Sequence, residues 1–242
     1  MKLLVVGGAG FIGTIVRPVL EANYDCLHFD RREVPGAEGR CITADVNDDH
    51  AVRRAVAHAD AVLYLAMGTN ERGDVEDIDA AFNVNVCGAY RFLRHALRVG
   101  IRRFIYTSSM SVYERLWGQT IVDESVPPDR WDTYGMSKRL GEEVCMAAGQ
   151  EYPQAVILAL RLMFPKNEAQ WQEMKAMPAR KIWPGSTHPD DLRTLFLAAL
   201  NCDKPGVHIV QTTGDVPGDH YPNTRATALF GWKPVMRVDA AR

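Results

Sequence analysis

Leu3-Leu4-Val5-Val6-Gly7-Gly8-Ala9-Gly10-Phe11-Ile12-Gly13 decides the fold. Four apolar residues in a row read as a buried strand. The glycines end it, and a helical pattern runs on from Phe11 to about Ala22. Gly7 supplies the φ > 0 of a sharp turn. Gly10 leaves room for a pyrophosphate at the positive N-terminus of the helix. Gly13 lets the helix pack closely on the strand. By themselves the glycines also fit a tight turn with no ligand. The next apolar segment, Cys26-Leu27-His28-Phe29, ends at Asp30. That is the spacing of an acid that takes the adenosine ribose hydroxyls, so the pair of signals points to a dinucleotide.

The rest of the composition agrees with an ordinary globular protein. The chain has 242 residues, 47% hydrophobic and 24% charged, with a net charge of −2. This suits one α/β domain, or one domain with a small appendage. No global basic field invites nucleic acid or an anionic membrane. The pairs Arg31-Arg32, Arg53-Arg54 and Arg102-Arg103 read as solvated surface. No apolar run approaches the ~18 residues needed to cross a bilayer. The chain starts on a strand, so no signal peptide is expected. Cys26, Cys41, Cys87, Cys145 and Cys202 are scattered and read as reduced thiols of a cytoplasmic protein. The histidines show no metal spacing, and no metal is expected.

Working outward, strands and helices alternate. Pro18 inside the first helix is expected to kink it. A short strand at Arg40–Thr43 leads to Asp45-Val46, then a helix near Asp48–Ala57 capped by Asn47 or Asp48. A strand at Ala61–Leu65 breaks at Ala66-Met67-Gly68, and a long helix is expected over about Val75–Val99, closed by Gly100. Strand Arg103–Tyr106 leads into Thr107-Ser108-Ser109-Met110-Ser111. After a polar loop come a helix over about Asp132–Ala148 and a strand at Ala155–Leu162. Pro165–Thr187 reads as the least regular part. A helix Pro189–Leu200, a strand Val207–Gln211 and a short helix near Asn223–Phe230 finish the chain. Alternation of this kind implies a doubly wound parallel sheet with its ligand at the carboxyl ends of the strands.

Tyr134-Gly135-Met136-Ser137-Lys138 is the second informative stretch. Tyrosine and lysine at i and i+4 share one helix face. An ammonium beside a phenol favours the phenolate and lowers its pKa from ~10. Such a tyrosine can exchange a proton with a hydroxyl or carbonyl. The pair alone is common on helix surfaces; its place after a dinucleotide turn and a serine-rich strand end is what gives it meaning.

Taken in this order, these stretches resemble the extended short-chain dehydrogenase/reductase superfamily, in particular its NAD-dependent epimerase/dehydratase group, over nearly the whole chain. The resemblance implies a Rossmann domain over residues 1–162 and a small substrate-binding region over 163–242 that partly completes the sheet. Gly7, Gly10 and Gly13 match the family's glycine turn, with Phe11 and Ile12 beside it. Asp45-Val46 resembles its adenine-contacting pair, and Leu65-Ala66-Met67 its turn beside the cofactor. Asn85 matches an asparagine that braces the site from the long helix, and is counted among the cofactor residues. Tyr106-Thr107-Ser108-Ser109 resembles Tyr-Ser-Ser-Ser, placing the catalytic hydroxyl on Ser109. Tyr134 matches the general acid/base. Lys138 matches the residue that holds the nicotinamide ribose and depresses the tyrosine pKa. His188-Pro189-Asp190-Asp191-Leu192 and Gly231-Trp232-Lys233-Pro234 match late family motifs.

The resemblance implies NAD, with NADP disfavoured by Asp30, although Arg31 could hold a 2′-phosphate. It implies a homodimer built on the two long helices, a small-molecule substrate, and no nucleic acid or membrane partner. Arg161-Leu162-Met163-Phe164-Pro165 departs from the family's Arg-Tyr-Phe-Asn-Pro: Phe164 cannot donate an amide hydrogen bond. The substrate wall is then Ser109, Met110, Ser111, Tyr134 and Phe164. Lys166, Lys175, Arg180 and Lys181 could supply a cation to it, with solvated surface as the simpler reading, and Trp171 or Trp183 an apolar wall. The reading that results is hydride transfer at a secondary alcohol or carbonyl of a small sugar, sugar acid or polyol. The alternatives are a nucleotide-sugar epimerase/dehydratase and a non-catalytic dinucleotide sensor.

Overall fold

The computed structural model describes residues 1–69, 73–116, 121, 123–178, 182–183 and 185–237. Seven strands form one sheet: β1 Lys2–Val6, β2 Asp25–Asp30, β3 Cys41–Thr43, β4 Ala61–Tyr64, β5 Arg103–Ser109, β6 Val156–Leu162 and β7 Gly206–Thr212. Their order is β3-β2-β1-β4-β5-β6-β7, and every pairing is parallel. Chain order reverses between β1 and β4, which places the ligand crevice above that pair.

The apolar runs are continuous because both faces of the sheet are covered. Side chains alternate, so Leu3 and Val5 join one layer and Leu4 and Val6 the other. The first layer is closed by α1 (Phe11–Asn23) and α7 (Pro189–Leu200), through Ile15, Val16, Leu20, Leu192, Leu195 and Phe196. The second is closed by α2 (Asp49–Val56), α4 (Ala89–Arg98) and α5 (Thr133–Glu151), with Val52, Phe92, Leu93 and Cys145 in its core. The last helix, α8 (Thr224–Phe230), adds Ala226 to the first layer. Thus α7 and α8, from the C-terminal region, finish a core that the N-terminal strands begin.

Helix α1 continues past Pro18 to Asn23. Two local expectations change. The long helix starts at α3 (Ile78–Phe82), capped by Asp77, and contains a π segment at Asn83–Gly88 before α4. The wide turn loosens the helical ladder, and hydroxyls from the sheet bind its carbonyls: Tyr64 donates to Val84 O at 2.7 Å and Tyr106 to Asn85 O at 3.1 Å. Within Pro165–Thr187 the chain forms α6 (Glu168–Lys175), started by a capping box of Asn167 and Gln170. Arg180 and Lys181 lie outside the described residues.

Candidate active site

One cleft of about 510 Å³ runs along the carboxyl ends of β1 to β6, a volume typical of small-ligand sites. At its first end lies the glycine turn. Gly7 has φ 91°, and a Cβ there would lie 2.6 Å from Ala66 N, so the turns after β1 and β4 meet back to back. The buried Asp30 carboxylate accepts from Ala9 N at 2.9 Å and Arg32 N at 3.0 Å. Two of its lone-pair sites are used, which leaves acceptors for two ribose hydroxyls. Gly10, Phe11, Ile12, Arg31, Asp45, Val46, Leu65, Ala66 and Met67 line the same end. Gly13 does not. A Cβ on Gly13 would lie 2.5 Å from Gly8 O, so its part is to let α1 start against the turn. Arg32, read as solvated surface, also lines the cleft and donates to Ala9 O at 2.6 Å.

At the other end, β5 delivers Ser109, and α5 delivers Tyr134 and Lys138 one turn apart. Asp132 caps α5 through Gly135 N at 2.8 Å. Glu76 adds a carboxylate from outside the helix, accepting from Thr133 N at 2.9 Å and Tyr134 N at 3.3 Å. Burial pushes the Tyr134 phenol up, a hydrogen bond from Ser109 pulls it down, and Asp132 pushes it up again. Lys138 does not depress it as the sequence reading expects. Burial pushes the lysine itself down to about 7, with Glu142 pulling it back. Its Nζ donates to Thr107 O at 2.8 Å and lies 5.8 Å from the Tyr134 ring centroid. Ser109 Oγ also accepts from Ser111 N at 3.0 Å, which fixes the start of the next turn.

Asn85 is not a lining residue. It is fully buried, donating to Ser137 Oγ at 2.9 Å and accepting from Gly68 N at 3.1 Å. It ties the π segment to α5 and to the turn after β4. Beneath the reacting groups lies a network that the sequence reading misses. Glu142 receives both Arg161 Nε and Nη2 at 2.8 Å and Ser108 Oγ at 2.6 Å. Arg161 also donates to Tyr113 Oη at 2.5 Å. Glu142 follows Lys138 by one helical turn, so Tyr134, Lys138 and Glu142 form one row on α5. Met110, Ser111 and Phe164 line this end of the cleft, with Thr69, Val75, Leu116, Met163 and Pro165 in addition. Apolar residues in loops carry no periodic signal by which they could have been found.

Fold and site together define a dinucleotide-binding α/β protein with a serine, a tyrosine and a lysine at the reacting end. The sequence profile of the NAD dependent epimerase/dehydratase family matches residues 3–181, and the chain belongs to that family. It is 31% identical over 143 residues to N-acetyl-alpha-D-glucosaminyl-diphospho-ditrans,octacis-undecaprenol 4-epimerase of Escherichia coli O157:H7, covering 59% of this chain and 42% of that protein. It is 30% identical over 235 residues to uronate dehydrogenase of Pseudomonas syringae pv. tomato, covering 94% of this chain and 80% of that one. The chain thus spans less than half of the first relative and four fifths of the second. Among solved structures, a mutated uronate dehydrogenase superposes with a TM-score of 0.80 at 24% identity, over 98% of this chain and 82% of that one. That likeness is one of fold. Among the described residues no helix is long and apolar enough to cross a membrane.

Proposed function

We propose that the protein is an NAD-dependent oxidoreductase, or an epimerase that works by transient oxidation, on a secondary alcohol or carbonyl of a small sugar, sugar acid or polyol. The observation that carries this is the meeting of Ser109 and Tyr134 in the cleft that the glycine turn opens. The cleft fits NAD: no Cβ obstructs the turn at Gly7, the helix N-terminus at Gly10 is bare, and Asp30 keeps acceptors in hand. When bound, NAD takes up or returns a hydride at the reacting carbon.

The chain's own groups position and polarise. Ser109 Oγ holds the reacting oxygen and steadies the Tyr134 phenol. Tyr134 takes the proton as the alcohol is oxidised and returns it in reduction. Lys138, fixed by Thr107 O, would hold the nicotinamide ribose. Asp30 favours NAD over NADP. Residues 163–242 contribute a short substrate wall around Phe164, which suits a small substrate better than a nucleotide-sugar. The five free thiols suit a reducing, cytoplasmic setting. Tyr90 on α4 and Met146 on α5 are exposed large hydrophobics, which supports a homodimer that pairs these helices about a two-fold axis. A monomeric mass by light scattering at micromolar concentration would refute the dimer.

The test of function is reduced-nicotinamide absorbance with NAD and a panel of sugars, sugar acids and polyols. Turnover of at least one, absent in Tyr134→Phe, is expected. NAD binding without any turnover would assign the protein to dinucleotide sensing instead, and tight, saturable binding of UDP would return it to nucleotide-sugars.

A further inference from the structure

Phe164 is the one non-glycine residue with positive φ among the described residues, at 38°. A bulky side chain avoids this region, so such a residue persists only where its surroundings hold it. Thr187, itself buried, does so at three points. Its N–H donates to Phe164 O at 3.3 Å, its carbonyl accepts from Lys166 N at 3.0 Å, and its Oγ1 donates to Met163 O at 2.8 Å. The clamp presents the Phe164 ring at the cleft wall, 43% exposed. The Trp183 ring meets it edge-on with centroids 5.1 Å apart.

The same turn brings Lys166 alongside. Its Nζ lies 5.9 Å from the Phe164 ring centroid, and no carboxylate pairs with it among the described residues. By contrast Thr69, Val75, Met110, Ser111, Leu116 and Met163, which line the reacting end, carry no charge. An exposed aromatic ring on the wall of the cleft that Tyr134 also lines, and an ammonium beside that ring, therefore stand together. An aromatic face suits the C–H face of a pyranose ring. One ammonium suits a monoanion, and binds it as a point charge.

We propose that Phe164 and Lys166 form the substrate subsite of this protein and that its ligand is a cyclic sugar acid, with the ring on Phe164 and the carboxylate on Lys166 Nζ. This rests on the function proposed above and narrows it to an anionic substrate.

The test compares D-glucuronate, D-glucose and D-glucose 6-phosphate in rates of NAD reduction and in calorimetric titration of the NAD-loaded protein, for wild type and Lys166→Gln. A charge-assisted contact predicts that glucuronate exceeds glucose in kcat/KM by about tenfold or more. Lys166→Gln should lower that ratio by about tenfold, through KM. Phe164→Asn should raise KM for the acid while leaving Lys166 in place. Equal kcat/KM for acid and neutral sugar, an unchanged ratio in Lys166→Gln, or preference for the phosphate ester would each overturn the proposal. If none of the three is turned over, the proposed chemistry is at fault, and calorimetry decides the subsite by itself. Glucuronate binding that weakens in Lys166→Gln supports it; no glucuronate binding overturns it.

Discussion

At the end of the cleft over β1 to β3, the lining groups are the glycine turn, the carboxylates of Asp30 and Asp45, Arg31 and Arg32, and a few apolar side chains, all in the segments that follow the three strands. Over β5 and β6 they are side chains held by other side chains. Asp30 is braced by the amides of Ala9 and Arg32. Tyr134 and Lys138 stand on a helix whose next turn carries Glu142, locked to Arg161 on β6 and Ser108 on β5. Asn85 fastens the same helix through Ser137, and Glu76 fastens its N-terminus. The first end is thus a local construction that tolerates change around it. The second is a coupled one, where a substitution below the site should disturb the chemistry above it.

The sharpest break of this contrast is at Tyr134. Tyr134→Phe should cut kcat by about 10²–10⁴-fold, the usual range for a general acid/base. NAD affinity, read by fluorescence titration, should stay within about threefold, because the phenol acts chiefly in the transition state. A parallel loss of both would mean that the two ends are not separable.

Next comes the buried pair. Glu142→Ala leaves the Arg161 guanidinium buried without its carboxylate, at a cost of about 3–5 kcal/mol. Thermal unfolding should show a fall of roughly 10 °C for a chain of this size. The double change Glu142→Leu with Arg161→Met should recover most of that stability, while kcat stays low because Lys138 loses its neighbour. Full activity in the double variant would show that the pair only stabilises.

Lys138→Met separates stability from function through pH. The native lysine is pushed down to about 7 from an ordinary 10.5. Below about pH 7 the folded protein carries a buried ammonium at full cost. Between there and 10.5 the unfolded chain binds more protons than the folded one, so wild-type stability rises with pH from this group. The methionine variant lacks that slope. Its stability advantage should therefore be greatest near pH 6 and shrink towards pH 9, read as the difference in Tm. A constant difference would mean that Lys138 is ionised throughout.

The smallest effect belongs to the first end. Asp30→Asn keeps the shape and removes the charge, and should move the NAD-to-NADP affinity ratio towards NADP by on the order of tenfold. Arg31→Ala should move it the other way. No shift with Asp30→Asn would place cofactor choice outside this carboxylate.

How much was legible follows from the same contrast. The strand at Leu3–Val6, the turn at Gly7 and Gly10, Asp30, Ser109 and the Tyr134–Lys138 spacing are all short-range facts, fixed by side-chain period and by which residues admit a turn. Helix Pro189–Leu200 could be read to the residue because a proline stands at its first position and His188 caps it. The π segment could not be read, since Asn83–Gly88 continues a helical pattern and only the tyrosine hydroxyls from β4 and β5 reward the wider turn. Helix α6 was hidden by the prolines around it, although Asn167 and Gln170 carried its start signal.

What the sequence by itself determined is the alternation of strands and main helices, the dinucleotide turn and the candidates for the reacting groups, because each depends on neighbours a few positions away. What only the tertiary structure decided is what those residues rest on. Glu142 reads as one more charged residue on a helix, yet 19 positions separate it from Arg161 and 34 from Ser108, and only the sheet brings them together. Phe164 reads as an apolar residue after a strand, yet Thr187, twenty-three positions on, holds it in a conformation that its own backbone preference opposes. Burial removes water as the competing partner, and it is the long-range packing that decides which groups are buried together.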